Sequence, residues 1–226
     1  RVLVALFWLI ASKASHVLST VGIDASTLET APGSFVITPA PMRTAAEDLG
    51  RRVASVGDFN NDTFLDFMVS APSASRDGCT SCGEITVIFG QPDGLSTSFN
   101  LSFPTGPRGF RIFGEVANNI VGSYLCGAGD VYGDGYDDIL IGSAYNSARG
   151  KAYLIFGHGD PTFDINLSLL VTGPRGVIIV SSVDETQLGA MIAAVGDVNG
   201  DGFDDIAVTA PFSDYGSRYW AGKLFI

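Results

Sequence analysis

One segment rich in aspartate and glycine occurs three times in this chain, and it constrains the fold more than any other feature. The copies occupy residues 57–72, 129–144 and 196–211, and each begins with a loop crowded with Asp and Asn. An apolar run with many β-branched residues follows each loop. Because a repeat with a period of about 70 residues has room for several short elements, we expect a series of similar structural units.

The repeat extends beyond the loops, and its pattern is that of strands. Residues 83–90, 150–157 and 222–226 each begin with glycine and continue with mainly apolar residues, and the sequence Thr-Gly-Pro-Arg-Gly ends at Gly109 and again at Gly176. Convincing helical periodicity is missing, and short apolar runs bounded by turn residues are typical of strands. In the second copy the strand-like runs are residues 123–128, 136–142, 151–156 and either 110–113 or 177–181.

A four-stranded unit of this kind cannot bury both faces of its sheet alone. Stacking such sheets around an axis does bury them, and it also explains why the unit recurs. We therefore predict an all-β fold, a β-propeller with four-stranded blades, of which about three are present. A β-sandwich is the alternative all-β fold, but it gives no reason for similar loops at matching points of each unit.

The third loop has the spacing of a cation site. Numbered from its first aspartate, it places side-chain oxygens at positions 1, 3, 5 and 9, a glycine at position 6 and a backbone carbonyl at position 7. Oxygen ligands in that number, without His or Cys, suit Ca²⁺ rather than a transition metal. A solvated acidic turn is the alternative, since Asp, Asn and Gly also dominate ordinary turns. The candidate ligands are Asp197, Asn199, Asp201, the carbonyl of Phe203, and Asp205.

The first two loops keep most of these positions. Thr63 replaces glycine at position 6 of loop one, which predicts a strained or altered turn, and Tyr132 at position 3 of loop two is not an ordinary ligand. We therefore rank loop three as the strongest site and loop two as the weakest. Asp137 and Asp204, at position 8, are expected to face outward because neighbours on a strand alternate. The candidate ligands are Asp58, Asn60, Asp62, the carbonyl of Phe64 and Asp66 in loop one, and Asp130, Asp134, the carbonyl of Tyr136 and Asp138 in loop two.

The spacing also begins an EF-hand, which must be distinguished from these loops. An EF-hand loop ends in a bidentate Glu at position 12 and lies between two helices. Position 12 is Val69, Ile141 or Val208 here, and each of these residues belongs to a strand-like run. The loops are therefore predicted to connect strands, with the aspartate at position 9 closing each site.

The charge balance disfavours nucleic-acid binding, and the N-terminal sequence indicates an extracellular protein. The chain has 13 Lys and Arg against 24 Asp and Glu, a net charge of −11, and it lacks the basic stripe that nucleic-acid binding requires. Residues 1–14 resemble a secretory signal peptide: one basic residue, an apolar run and then small residues. Residues 15–32 are expected to be a linker or an irregular segment. No apolar stretch is long enough to span a membrane, which takes about 20 residues.

Cysteines and glycosylation sequons are consistent with that compartment. Cys79 and Cys82 are close enough in a turn-rich stretch to form a small disulfide, and a zinc site lacks a second ligand pair. Cys126 falls in an apolar run and is expected to be a core residue. Asn100 and Asn166 each begin an Asn-Leu-Ser sequon at equivalent places in adjacent repeats, although chance occurrence explains them equally well.

The repeat resembles a known family. The order of an apolar residue and glycine, then Gly-Asp-x-Asn-x-Asp-Gly-x-x-Asp, then a small residue and Ala-Pro is similar to the FG-GAP repeat of integrin α-subunit propellers. The resemblance covers residues 33–226, with repeats near 42–104, 114–171 and 181–226. It implies a propeller of about seven blades, with Ca²⁺ in the inter-strand loops and partners bound at the other face or the side. Three blades are therefore expected to form an incomplete arc.

The expected function is that of an extracellular module for cell adhesion or receptor-like interactions, with structural Ca²⁺ and a protein, matrix or cell-surface ligand as partner. An enzymatic role is not expected: the chain contains only His16 and His158, and no Gly-x-Ser-x-Gly sequence is present. The alternative is a propeller appended to a secreted or surface hydrolase whose catalytic domain lies outside this sequence. A purely structural surface repeat is a further alternative.

Overall fold

The computed structural model describes residues 36–38, 47–76, 78–92, 98–100, 108–143, 150–159, 164–170, 174–182 and 186–226. The signal-like segment and residues 15–32 lie outside these ranges. The chain divides into two units, and the first comprises Arg1–Met42 and Gln91–Phe103. Its described strands form one parallel pair, β1 (Val36–Thr38) and β5 (Ser98–Asn100).

The described residues of the second unit form three sheets, which we call blades I, II and III. Within each blade, successive strands pair in antiparallel fashion. Blade I is formed by β2 (Val53–Gly57), β3 (Asp66–Ala71), β4 (Glu84–Ile88) and β6 (Gly109–Phe113). Blade II is formed by β7 (Tyr124–Gly129), β8 (Asp138–Ser143), β9 (Lys151–Ile155) and β11 (Gly176–Val180). The described strands of blade III are β12 (Ile192–Gly196), β13 (Asp205–Ala210) and β14 (Lys223–Phe225).

The faces of the blades pack on one another, as a propeller requires. In β8, Ile139 and Ile141 belong to the core shared with blade I, whereas Leu140 belongs to the core shared with blade III. This division follows from the alternation of side chains along a strand. The first strands of the blades also lie side by side, with β7 in contact with both β2 and β12. The fold is therefore an all-β arc of propeller blades, which confirms the expected class and excludes the single sandwich.

A connector from blade II covers the outer edge of blade I. The short strand β10 (Ile165–Asn166) follows β9 in sequence but pairs in parallel with β6. The guanidinium of Arg111 donates to the carboxylate of Asp164, with Nη2 and Oδ2 2.8 Å apart, and the N–H of Arg111 donates to Oδ1 at 2.9 Å. Both oxygens of the Asp164 carboxylate thus accept hydrogen bonds from Arg111, one from its side chain and one from its backbone, which fixes the geometry of the pair. The outer strand of blade I is thus protected from pairing with another chain.

The cysteines lie where the sequence indicated. Cys79 and Cys82, which the sequence places close enough to pair, form a disulfide in the turn between β3 and β4. Cys126 lies in β7 and is half-buried, and burial raises the pKa of its thiol. Among the described residues, no helix has the length and hydropathy needed to cross a membrane.

Candidate cation loops and the contacts between blades

The three acidic loops connect β2 to β3, β7 to β8, and β12 to β13. In each one, the carboxylate at position 1 accepts backbone N–H groups from residues later in the same loop. Asp197 Oδ1 accepts from Gly200 at 2.6 Å and from Asp201 at 3.1 Å, and its Oδ2 accepts from Gly202 at 2.9 Å. Asp130 accepts the corresponding three groups in loop two. The loop backbone therefore curls around its first aspartate.

The aspartate at position 9 attaches each loop to its strands. Asp66 Oδ2 accepts the N–H of Phe59 at 3.0 Å, and its Oδ1 accepts the N–H of Gly90, beyond the end of β4, at 2.8 Å. In loop two, Asp138 makes the same two kinds of bond, to Val131 at 2.9 Å and to Gly157 at 2.9 Å. In loop three, the N–H of Val198 donates to Asp205 Oδ2 at 2.9 Å.

Burial disfavours the charged form of the aspartate at position 9 in loops one and two. Burial raises the pKa of both Asp66 and Asp138 to about 6, although the backbone N–H donors act in the opposite direction. Repulsion from Asp62 and Asp58 raises the pKa of Asp66 further, and Asp134 does the same to Asp138. These carboxylates therefore lie in surroundings that disfavour additional negative charge, which a bound cation would compensate.

The remaining candidate ligands are engaged within their own loops. Asp62, Asp134 and Asp201, at position 5, each accept the N–H of the residue at position 7, at 2.9, 3.2 and 3.0 Å. Asn60 Nδ2 donates to Asp62 Oδ2 at 3.0 Å. In the described ranges, no group of three or more His, Cys, Asp or Glu side chains is arranged to hold a metal ion. The fit to a hard cation therefore rests on the oxygen-only donor set and on the unfavourable charge, not on convergent ligand geometry.

Thr63 and Tyr132 explain how the first two loops differ from the third. Thr63 has φ of 76°, close to the values of 87° and 92° at the equivalent Gly135 and Gly202. A β-branched residue in that region is strained, so the expectation of a strained turn is confirmed. The ring of Tyr132 stacks on that of Phe156, with centroids 4.7 Å apart, and the residue is 62% exposed.

The expectation for position 8 was wrong. Asp137 and Asp204 do not face solvent but contact the loop of the preceding blade, where their carboxylates accept the N–H groups of Asp58 and Asp130. Neighbours on a strand do alternate, but in a propeller the neighbouring blade occupies the side that we expected to be solvent. The sequence feature that distinguishes these two loops is an Asp-Asp doublet, at residues 137–138 and 204–205, whose first aspartate makes the contact with the preceding blade.

Neighbouring blades of three or four described strands, each with one of these loops, define the class: the chain is a partial β-propeller. The family model described as "FG-GAP repeat" matches residues 190–226, so the chain carries an FG-GAP repeat. It is also integrin α-like. It is 36% identical to integrin alpha-3 of Cricetulus griseus over 145 residues, which cover 60% of this chain and 13% of that protein. It is 30% identical to integrin alpha-5 of Xenopus laevis over 181 residues, which cover 76% of this chain and 14% of that protein. It is 29% identical to integrin alpha-V of Gallus gallus over 192 residues, which cover 82% of this chain and 16% of that protein.

The chain thus matches only about one seventh of the length of each of these relatives.

Proposed function

We propose that this chain is part of an extracellular, calcium-stabilised β-propeller that serves in cell adhesion or as a receptor-like interaction module. The observation that carries the proposal is the repeated loop, in which an oxygen-only donor set lies between strands of FG-GAP-type blades. The similarity to integrin α chains supports the adhesion role. No observation favours the alternative of a propeller appended to a hydrolase.

Calcium has a structural role in this proposal. The oxygens at positions 1, 3, 5 and 9 and the carbonyl at position 7 of each loop would hold the ion and offset the repulsion among the carboxylates. Loop two would bind most weakly, because Tyr132 contributes no ligand there. The partner is an extracellular protein, matrix component or cell-surface ligand, and a complete ring would contain about seven blades.

Calcium titration tests the proposal. Asp201→Asn removes one ligand charge but keeps the amide oxygen that can accept the N–H of Phe203, so it separates ion binding from loop shape. Asp48→Asn is the matched control, since Asp48 carries the same charge and is exposed outside the loops. With a Kd of about 1 mM, 10 mM Ca²⁺ should stabilise the chain by about 1.4 kcal/mol per site.

We expect Asp201→Asn to lose part of this stabilisation and Asp48→Asn to retain it, as measured by calorimetry and thermal unfolding. The absence of both binding heat and a shift in melting temperature at 10 mM Ca²⁺ would contradict the calcium role. An equal loss of the calcium-dependent stabilisation in both variants would contradict it as well.

An extracellular location has its own test at Asn166. This residue is exposed, and the hydroxyl of Ser168 in the same sequon donates to Asn166 Oδ1 at 2.7 Å. We propose that the residue carries a glycan in a eukaryotic secretory pathway. The secreted chain should lose mass on treatment with an N-glycosidase, and Asn166→Gln should remove that glycan. Cytoplasmic retention of the full-length protein would contradict the location.

A further inference from the structure

One contact between blades depends on two carboxylates, those of Asp137 and Asp204, that are not among the candidate calcium ligands. The N–H of Asp58 donates to Asp137 Oδ2 at 2.6 Å, and the N–H of Asp137 donates to the carbonyl oxygen of Asp58 at 3.3 Å. Between blades II and III, the N–H of Asp130 donates to Asp204 Oδ2 at 3.0 Å, and the N–H of Asp204 donates to the carbonyl oxygen of Asp130 at 3.2 Å. The same reciprocal pair of hydrogen bonds thus joins both pairs of neighbouring blades.

The glycine before each loop leaves space for this carboxylate. A Cβ atom on Gly57 would overlap the side chain of Asp137, and one on Gly129 would overlap the side chain of Asp204. At Gly196, before loop three, no atom lies within 4 Å of the Cβ position. All three glycines have positive φ, so backbone conformation favours glycine at each of them. The steric restriction applies only where a carboxylate from the next blade is present.

We infer that Asp137 and Asp204 are positioning residues that lock each blade onto the loop of the preceding blade. A carboxylate that accepts a backbone N–H makes a stronger bond than a neutral acceptor, and both side chains are half-buried. Position 8 of blade I is Leu65, which is 75% exposed and cannot accept such a bond. The lock acts on the backbone of position 1, so the inference goes beyond the proposed calcium sites and does not depend on them.

Amide hydrogen exchange in the 226-residue chain tests the lock at single residues. Asp137→Ala removes the acceptor, and exchange of the Asp58 amide, 79 residues away, should accelerate about tenfold or more. The amides of Gly133 and Asp134 in the variant's own loop should change by less than about twofold. Leu65→Ala is the matched control at the same loop position and should leave the Asp58 amide unchanged. An unchanged Asp58 amide in Asp137→Ala, or acceleration confined to loop two, overturns the inference.

A second measurement decides the case in which Asp137→Ala unfolds. Gly57→Ala and Gly129→Ala introduce a Cβ atom where the carboxylate of the next blade lies. Gly50→Ala is the matched control, because Gly50 has φ of 86° against 92° at Gly57 but no atom within 4 Å of its Cβ position. The midpoint of thermal unfolding should fall at least about twice as far in the first two variants as in the control. Equal shifts in all three overturn the inference.

Discussion

At the scale of single residues, the two buried aspartates at position 9 connect charge to stability. Asp66 and Asp138 are 1% and 0% exposed. Burial raises their pKa from 3.8 to about 6, so the native state holds these protons to a higher pH than the unfolded chain does. In the calcium-free protein, these groups contribute most stability below about pH 4, and that contribution is lost as the pH rises to about 6. The loss amounts to about 3 kcal/mol for each carboxylate.

Calcium binding should therefore release protons near pH 6. An ion bound in loop one requires the charged form of Asp66, and an ion bound in loop two requires that of Asp138. Each of these two loops should therefore release about half a proton when it binds an ion at pH 6. Calorimetric titration at pH 6 in two buffers with different ionisation enthalpies measures this number. The same titration at pH 8, where both groups are already charged, is the control and should show almost no release. Calcium binding at pH 6 without proton release would contradict the predicted coupling.

At the scale of elements, the shape of each acidic hairpin includes a turn residue with positive φ at position 6 of the loop. Position 6 of the loop is glycine in loops two and three but Thr63 in loop one, where φ is 76°. The N–H of Thr63 still donates to Asp58 Oδ2, at 2.8 Å, which keeps the turn closed around its first aspartate. The left-handed conformation costs a residue with a Cβ atom about 1–2 kcal/mol. Loop one therefore keeps the shape of the other loops at the expense of backbone strain.

Exchanging the residues at this position should have opposite effects in two loops. Thr63→Gly should raise the free energy of unfolding by up to about 1 kcal/mol, since relief of strain exceeds the entropic cost of glycine. Gly202→Thr should lower the local stability of blade III by about 1–2 kcal/mol. Chemical denaturation measures the first change, and amide exchange in β12 and β13 measures the second. Thr63→Ala is the control that keeps the Cβ atom, and it should gain little. A destabilised Thr63→Gly variant would show that the hydroxyl or methyl group outweighs the strain.

Local patterns predicted the hairpins well, whereas contacts between blades were not predictable from them. The strand expected at residues 151–156 is β9 (Lys151–Ile155), because period and turn residues determine such an element locally. The partner of Asp137 lies 79 residues away, and the partner of Asp164 lies 53 residues away. No periodicity within one repeat encodes which residue of the next repeat it contacts. The sequence thus predicted where the acidic loops lie, whereas the packing of the blades determines which residue the side chain at position 8 contacts.

At the scale of the whole second unit, burial is distributed unevenly among the blades. Every residue of β4 and β8 is buried, whereas every residue of β14 and the central three residues of β12 are exposed. Among the described strands, blade II contacts both blade I and blade III, whereas blade III contacts blade II. Large apolar side chains such as Met191 and Leu224 are each 59% exposed on blade III. Buried apolar side chains are therefore fewer in the described part of blade III than in blades I and II.

Protection against amide exchange should follow this gradient. Strand β8 opens only when both of its cores separate, so we expect its amides to exchange near the rate of global unfolding. Amides of β12 and β14 should exchange at least about 100-fold faster, because local opening exposes little additional apolar surface there. Exchange detected by mass spectrometry, corrected for intrinsic rates and measured at two protein concentrations, tests this gradient. Equal protection of β8 and β12 at both concentrations would contradict it. Protection of β12 that disappears on dilution would show instead that another copy of the chain covers blade III in solution.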